Sequence, residues 1–119
     1  MENITVSVSE HPQNKEVTLL AVKGDIDTTT APKFSKKILS VLDEKKFKLV
    51  IDLTDVNYIS SKGWSVFISN IKSIRGQKGD LVFAGMNPHV SDVFGILEFD
   101  KIFKAFPNVE TAVKNGFGN

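Results

Sequence analysis

The chain has 119 residues, of which 41% are hydrophobic and 24% charged, with a mean hydropathy of -0.05 and no cysteine. This composition predicts one globular domain over residues 1–119 that buries its own core without disulfides or a thiolate zinc site. The formal net charge is only +1, no apolar run approaches the ~18 residues of a membrane span, and no secretory signal opens the chain, so we expect a cytoplasmic protein without nucleic-acid or membrane partners.

Two strands open the predicted fold. Ile4, Val6 and Val8 alternate with small polar residues, and this period of two is typical of an edge strand with one face in water. The run 17–22 is apolar on both faces and indicates a more central strand. Because a turn signal at 11–14 separates the two, they are predicted to pair as a hairpin.

Helices and strands alternate after this hairpin. From Pro32, apolar residues recur at helical spacing, which predicts an amphipathic helix with Thr30 as its cap. Residues 47–53 form a nearly continuous apolar run, the pattern of a strand covered on both faces. The remaining predicted elements are a helix over 64–75, a strand over 81–84, a helix from Pro88, a short strand within 101–106 and a closing helix over 107–113.

This order of elements predicts a single α/β domain. Strands joined by helices run parallel through right-handed crossovers, so the sheet is expected to be mixed and mostly parallel, with an N-terminal antiparallel edge hairpin and flanking α-helices. Such sheets carry function at the carboxyl ends of their strands. Those ends fall at 24–27, at 52–55 with the turn that runs to Ser61, and at 85–87. The functional site is therefore expected there.

The turn before the second helix contains two adjacent serines, Ser60 and Ser61. One interpretation is that a serine caps the helix by accepting its exposed backbone N–H groups. The other interpretation is that the serine is a modification site, and it starts from Gly63. A glycine in the first turn of a helix destabilises the helix by up to ~1 kcal/mol relative to alanine, so we expect a structural reason for it, such as close approach by another backbone. A serine hydroxyl beside this uncrowded helix start is accessible to an enzyme. A phosphate there would meet the helix dipole and Lys62, and would act as a binding switch.

Four carboxylates, Asp25, Asp27, Asp52 and Asp55, are also predicted near these strand ends. They are conceivable ligands for Mg²⁺, but acids at strand ends are more often turn and cap residues. No metal or other cofactor is therefore predicted. His11 and His89 lie in turn-like contexts without metal-ligand spacing and are expected to face solvent.

The patterns give no support for an enzyme. The segment 69–72 matches S-x-x-K, but its companion motifs are missing and it falls inside a predicted helix. No nucleophile and base pair or nucleotide-binding motif is present. Trp64 and Phe67 stand at helical spacing and are most simply core residues, although a tryptophan in a first turn can also anchor a partner.

Several segments, taken in order, resemble a known family. These segments are Gly24-Asp25-Ile26-Asp27 with Thr30-Ala31-Pro32, then Leu49 to Leu53, then Val56-Tyr58-Ile59 to Ser61 and Gly63, and finally Leu81 to Pro88 with Val93-Phe94. Together they resemble a STAS domain of the bacterial anti-sigma factor antagonist type, over nearly the whole chain. The resemblance implies a mixed sheet flanked by helices, which agrees with the predicted order of elements.

The resemblance also implies regulation of transcription by partner switching. In that family the unmodified antagonist binds an anti-sigma factor that is also a serine kinase, phosphorylation of a serine at the helix start ends the binding, and a metal-dependent serine phosphatase restores it. Ser61 matches that serine, with Ser60 as the alternative. The implied partner-binding residues are Gly24, Asp25, Asp27, Thr28 and Thr30 in one loop, and Ser60, Ser61, Lys62, Gly63 and Trp64 in the other.

This chain departs from the family pattern beside the acceptor. The family usually has Asp before the serine and Ser or Thr after it, whereas the neighbours of Ser61 are Ser60 and Lys62. The local charge is therefore more positive by two, and a kinase tuned to the usual motif would meet a different surface. Trp64 also replaces the usual small aliphatic residue.

Two alternative functions stay open at this stage. One is a STAS scaffold subunit of a stress-signalling or transport complex, in which no phosphoswitch operates. The other is a receiver-like domain phosphorylated on Asp52, which fits less well because receivers do not open with a β-hairpin. The favoured hypothesis is a non-enzymatic regulator that is a monomer or a weak dimer.

Overall fold

A computed structural model describes residues 3–117, and its elements follow the predicted order. The strands are β1 (Thr5–His11), β2 (Asn14–Lys23), β3 (Lys48–Asp55), β4 (Asp80–Ala84) and β5 (Ala105–Phe106). The helices are α1 (Ala31–Asp43), α2 (Ser61–Gly76), α3 (Pro88–Ile96) and α4 (Val109–Asn115), with a 3-10 turn at Phe99–Lys101. Among residues 3–117 no helix has the length and apolar character that crossing a membrane requires.

The five strands form one sheet in the order β1-β2-β3-β4-β5. β1 and β2 are antiparallel, with Val8 opposite Leu20, and the other three pairings are parallel. The chain is therefore a mixed, mostly parallel α/β domain with an N-terminal edge hairpin, and this prediction is confirmed. Because β2, β3 and β4 all run the same way, their carboxyl ends meet at one edge of the sheet.

The larger part of the core lies between the sheet and helices α1, α2 and α3. Aromatic rings dominate this layer: the centroids of Phe34 and Phe67 are 5.3 Å apart, and those of Phe67 and Phe83 are 4.8 Å apart. Trp64 joins the same cluster, and only 2% of its surface is exposed. The interpretation of Trp64 as a core residue is confirmed, and its side chain does not offer an anchor for a partner.

The opposite face of the sheet is covered less fully. Within the described residues only α4 packs there, against a small cluster that includes Val50 and Val82. His11 lies under this helix with 3% of its surface exposed, so the prediction that it faces solvent is wrong. Its Nδ1 accepts the Gln13 N–H at 3.2 Å, and its Nε2 lies 3.3 Å from a carboxylate oxygen of Glu110 on α4. His11 is buried because a later helix folds over this end of the hairpin, while residues 12–16 stay exposed.

Candidate functional site

The loops that follow β2 and β3 are joined edge to edge. The Ile26 N–H donates to the Tyr58 carbonyl at 3.0 Å, and the Ser60 N–H donates to the Ile26 carbonyl at 2.9 Å. These bonds form an isolated parallel bridge between Ile26 and Ile59. The two predicted partner-binding segments, 24–30 and 60–64, are therefore neighbours in space. Their role as one contact surface stays a prediction.

Gly63 lies where these two loops meet the first turn of α2. It is buried, and a Cβ built on it would overlap the carbonyl oxygen of Ile26 and would also crowd the Ile59 side chain. The glycine in the first helical turn is thus explained by close approach of another backbone, as predicted. Only this residue type lets the loop after β2 lie directly against the start of α2.

Ser60 and Ser61 have different environments. Ser60 is the N-cap of α2: its side chain is largely buried, and its Oγ accepts the Gly63 N–H at 3.1 Å. Ser61 is the first residue of the helix and is exposed. From the sequence, a serine of this pair could either cap the helix or be a modification site. In the structure the capping residue is Ser60. Ser61 is the hydroxyl of the pair that an enzyme can reach.

The loop before α1 is organised by a carboxylate. Oδ1 of Asp27 accepts the N–H groups of Thr29 and Thr30, both at 2.9 Å, so Asp27 holds the turn that leads into α1. The Thr30 side chain is 4% exposed and donates to the Asp25 carbonyl at 2.7 Å. Thr30 is the N-cap residue of α1, as predicted, but its side chain makes no capping hydrogen bond because its hydroxyl donates to the loop instead. Thr28 is exposed on the same loop.

The hydrogen bonds of Asp27 are expected to make the stability of the fold depend on pH. The N–H of Thr30 donates to its carboxylate and, with the hydrogen bond from Thr29, lowers the pKa of Asp27 below its ordinary value of 3.8. A lowered pKa in the folded state means that the contribution to stability is full above the ordinary value and is lost as the pH falls through the lower, folded one. For Asp27→Asn we expect a lower free energy of unfolding than in the parent at pH 6, with the gap closing below pH ~4. Urea denaturation across this range measures it, and a gap independent of pH would contradict the assignment.

The third strand end is tied into the same surface. Asn87 caps α3, since its Oδ1 accepts the Val90 N–H at 2.8 Å. Its Nδ2 donates to the Val56 carbonyl, 3.3 Å away in the loop after β3. All three carboxyl-terminal loops are therefore connected by hydrogen bonds and hold one another in place.

The strand-end carboxylates act in turns. Oδ1 of Asp52 accepts hydrogen bonds from the Thr54 N–H at 3.0 Å and from the Thr54 hydroxyl at 2.6 Å. Asp27 likewise accepts backbone N–H groups of the loop that follows it. The turn and cap interpretation is confirmed for these two residues. In the stretch from residue 3 to residue 117, no group of three or more His, Cys, Asp or Glu side chains is arranged to hold a metal ion.

An exposed tyrosine completes the surface and was missed as a site residue from sequence. Tyr58 precedes the serine pair and is 45% exposed, while its neighbour Ile59 is buried. Tyrosine is enriched among the residues that dominate protein interfaces. The sequence did contain a signal for it, because Tyr58 is an aromatic residue in a predicted turn and stands next to the apolar Ile59. With Trp64 buried, Tyr58 is the aromatic side chain that this surface presents.

The fold and the surface together define an α/β domain in which the start of α2 and three strand-end loops form one exposed edge. The family model described as the STAS domain matches residues 9–112, and the chain belongs to that family. The resemblance seen in the sequence is confirmed. The receiver-like alternative does not fit, because the hairpin pairing of β1 with β2 breaks the uniform β-α repeat that it needs.

Known relatives carry related names. The chain is 35% identical over 109 residues to the anti-sigma-B factor antagonist of Listeria monocytogenes, which covers 91% of this chain and 92% of the relative. The crystal structure of an anti-sigma factor antagonist from Mycobacterium paratuberculosis matches with a TM-score of 0.84 at 26% identity, over 94% of this chain and 92% of that one. The phosphorylated form of the Bacillus protein SpoIIAA matches with a TM-score of 0.71 at 12% identity, over 94% of this chain and 99% of that one, which shows a shared fold.

Proposed function

We propose that this protein is an anti-sigma factor antagonist that regulates transcription by partner switching. Unphosphorylated, it binds an anti-sigma factor that is also a serine kinase. Phosphorylation of Ser61 ends the binding, and a serine phosphatase restores it. The support comes from the family, from relatives whose names state antagonism of an anti-sigma factor, and from the surface at the start of α2.

The observation that carries the proposal is that the two serines have different environments. The Ser60 hydroxyl accepts a helix N–H in a largely buried position, while Ser61 is exposed one residue later. To phosphorylate Ser60, a kinase would have to open the cap of α2, which costs about 0.5–2 kcal/mol. Ser61 can be phosphorylated without disturbing any cap.

A phosphate on Ser61 would change binding rather than folding. It would lie at the positive end of the α2 dipole, beside Lys62, so its charge of about -1.5 to -2 is tolerated by the domain itself. The helix stays packed through Phe67 and Ile71, which face the core. A partner closely packed on the same surface would instead meet a bulky dianion.

The remaining roles follow from this proposal. The protein acts by binding and performs no catalysis of its own, works in the cytoplasm as a monomer or weak dimer, and needs no cofactor. Its contact surface comprises the exposed parts of the loop 24–30, the loop 55–60 with Tyr58, and the first turn of α2.

The test is direct binding to a candidate anti-sigma kinase from the native host. Calorimetry of the two purified proteins with ADP should show a complex. Incubation with ATP should add one phosphate to this chain, seen by intact mass, and abolish the complex, whereas a non-hydrolysable ATP analogue should leave it in place. A stable complex that persists after ATP, without any phosphate on the chain, would favour the scaffold alternative.

A further inference from the structure

The two edges of the sheet are built differently. β5, at one edge, has only two residues and is followed directly by Pro107, and both features oppose pairing with a further strand. β1, at the other edge, has seven residues without proline or lysine, and its bulge lies at the far end, between Glu10 and His11. Among residues 3–117 only β2 pairs with β1, and no backbone group of a loop or helix bonds to it. β1 is therefore an unprotected edge strand.

The side chains of β1 separate by chemistry onto the two faces of the sheet. Val6 and Val8 lie opposite Val22 and Leu20, which belong to the larger core, so both valines are on the face that α1 covers. Val8 is nevertheless 39% exposed at the edge. Successive side chains of a strand alternate between faces, so the opposite face carries three small hydroxyl side chains: Thr5, Ser7 and Ser9.

A second copy of β1 matches this pattern in one antiparallel register. Directly opposite residues of an antiparallel pair lie on the same face of the sheet, so each face must be complementary to itself. When Ser7 faces Ser7 of the second copy, each Val6 faces Val8. On the other face each Thr5 then faces Ser9. A register centred on Val8 would instead set each Val6 against a glutamate, so the register centred on Ser7 is the complementary one.

The same register brings opposite charges together. Glu10 is exposed and lies on the same face as the two valines, and it would stand opposite Ile4 of the second copy. Lys33 of α1 lies at that position, since its Nζ donates to the Ile4 carbonyl at 3.0 Å. In the part of the chain that the structure describes, neither Glu10 nor Lys33 forms a salt bridge. Each Glu10 carboxylate is therefore complementary to the Lys33 ammonium of the other copy.

We propose that β1 is a docking site for a second copy of this chain, which pairs with it antiparallel about a two-fold axis at Ser7. The two five-stranded sheets would form one continuous sheet through an isologous contact. A contact of five paired residues in each copy is smaller than a standard interface of at least ~1,200 Å², so we expect a weak dimer that dissociates on dilution. This inference does not depend on the proposed function.

Pairing about this axis leaves the start of α2 free. The two-fold axis reverses the strand direction, so the carboxyl ends of β2, β3 and β4 in the two copies lie at opposite ends of the joined sheet. Within each copy β2 separates β1 from β3. Each copy of the dimer can therefore hold its own partner at the first turn of α2.

Sedimentation velocity of the full chain at about 10 µM and about 1 mM tests self-association. The average mass should rise toward that of a dimer at the higher concentration. Val8→Lys places a charge on the edge and should weaken self-association by at least about tenfold. Ile68→Lys is the matched control because Ile68 is 41% exposed but lies on α2, and it should stay within about twofold of the parent. A monomer at both concentrations, or a dimer that survives Val8→Lys, would overturn the proposal.

Single cysteines report the register, because the chain has none of its own. Ser7→Cys places two thiols opposite each other, where Cα atoms are about 4.5–5.5 Å apart, within reach of a disulfide. Ser9→Cys is the control, since its two copies would lie about 14 Å apart along the strands. With oxidised glutathione, Ser7→Cys should form a cross-linked dimer at least about tenfold faster than Ser9→Cys. Equal rates would contradict pairing at Ser7.

A charge exchange tests the predicted ion pair. Glu10→Lys and Lys33→Glu each bring like charges together and should weaken the dimer, whereas the double variant restores opposite charges and should return to within about threefold of the parent. A double variant weaker than either single variant would overturn the register. None of these measurements uses the anti-sigma kinase, so a failure of this inference and a failure of the proposed function are distinguishable.

Discussion

Ser61→Ala is expected to bind the anti-sigma kinase as the parent does and to accept no phosphate, whereas Ser61→Asp is expected to bind poorly. The alanine variant keeps a small, uncharged side chain on an exposed first-turn position, so neither the helix nor the contact is disturbed. The aspartate variant places a charge inside a close-packed contact, where an unpaired charge costs several kcal/mol. Because every 1.4 kcal/mol changes Kd tenfold, even part of that cost would release the partner.

Two serine variants serve as controls for this comparison. Ser60→Ala loses the cap that holds the Gly63 N–H and should be less stable by about 0.5–2 kcal/mol, yet it should still be labelled. Ser65→Ala removes an exposed hydroxyl one turn later on the same helix and should be labelled like the parent. The measurements are kinase-dependent phosphate incorporation and calorimetric affinity. Labelling that persists in Ser61→Ala and disappears in Ser60→Ala would move the acceptor by one residue.

Gly63→Ala is expected to be the most damaging conservative change at the site. The added methyl group would overlap the Ile26 carbonyl, which is backbone and cannot rotate away, so the loop after β2 must move off α2. Overpacking of this kind typically costs about 1–3 kcal/mol. The same displacement would break the hydrogen bonds between Ile26 and the loop 55–60, so partner affinity should fall together with the free energy of unfolding.

Gly76→Ala is the matched control because Gly76 ends the same helix and has open space where its Cβ would lie. There the substitution should be neutral, or stabilising by up to ~1 kcal/mol, since alanine has the higher helix propensity. Urea denaturation of both variants gives the comparison. If Gly63→Ala were as stable as Gly76→Ala, the close approach of the two backbones at Ile26 would be wrong.

Local patterns were sufficient to predict most of the fold. The helical spacing from Pro32 reflects burial of one face of α1, and the run 47–53 reflects a strand that is covered on both faces. The alternation at β1 also predicted a strand, although little of that strand is buried and Val8 is 39% exposed. Such periodicities follow directly from backbone geometry, so they can be recognised in a single sequence. The requirement for glycine at position 63 was also predictable, because an unfavourable residue in a helix start needs a compensating contact.

What the sequence could not predict depends on contacts between distant segments. His11 is buried because Glu110 and the rest of α4 return to the hairpin from the far end of the chain. Thr30 was predicted as the N-cap residue, but the partner of its hydroxyl could not be predicted, because only the path of the loop brings that hydroxyl to the Asp25 carbonyl. For the same reason the sequence alone could not say which hydroxyl of the serine pair points outward.

The unequal covering of the two sheet faces gives the domain two levels of local stability. α4 has seven residues and closes a small apolar cluster, and one of its polar ties to the rest of the domain is the bond between Glu110 and His11. Short helices with few buried apolar side chains are the parts of a protein that open first, without global unfolding. Release of α4 would leave the aromatic layer beneath α2 intact, so we expect the candidate site to keep its structure when the opposite face of the sheet opens.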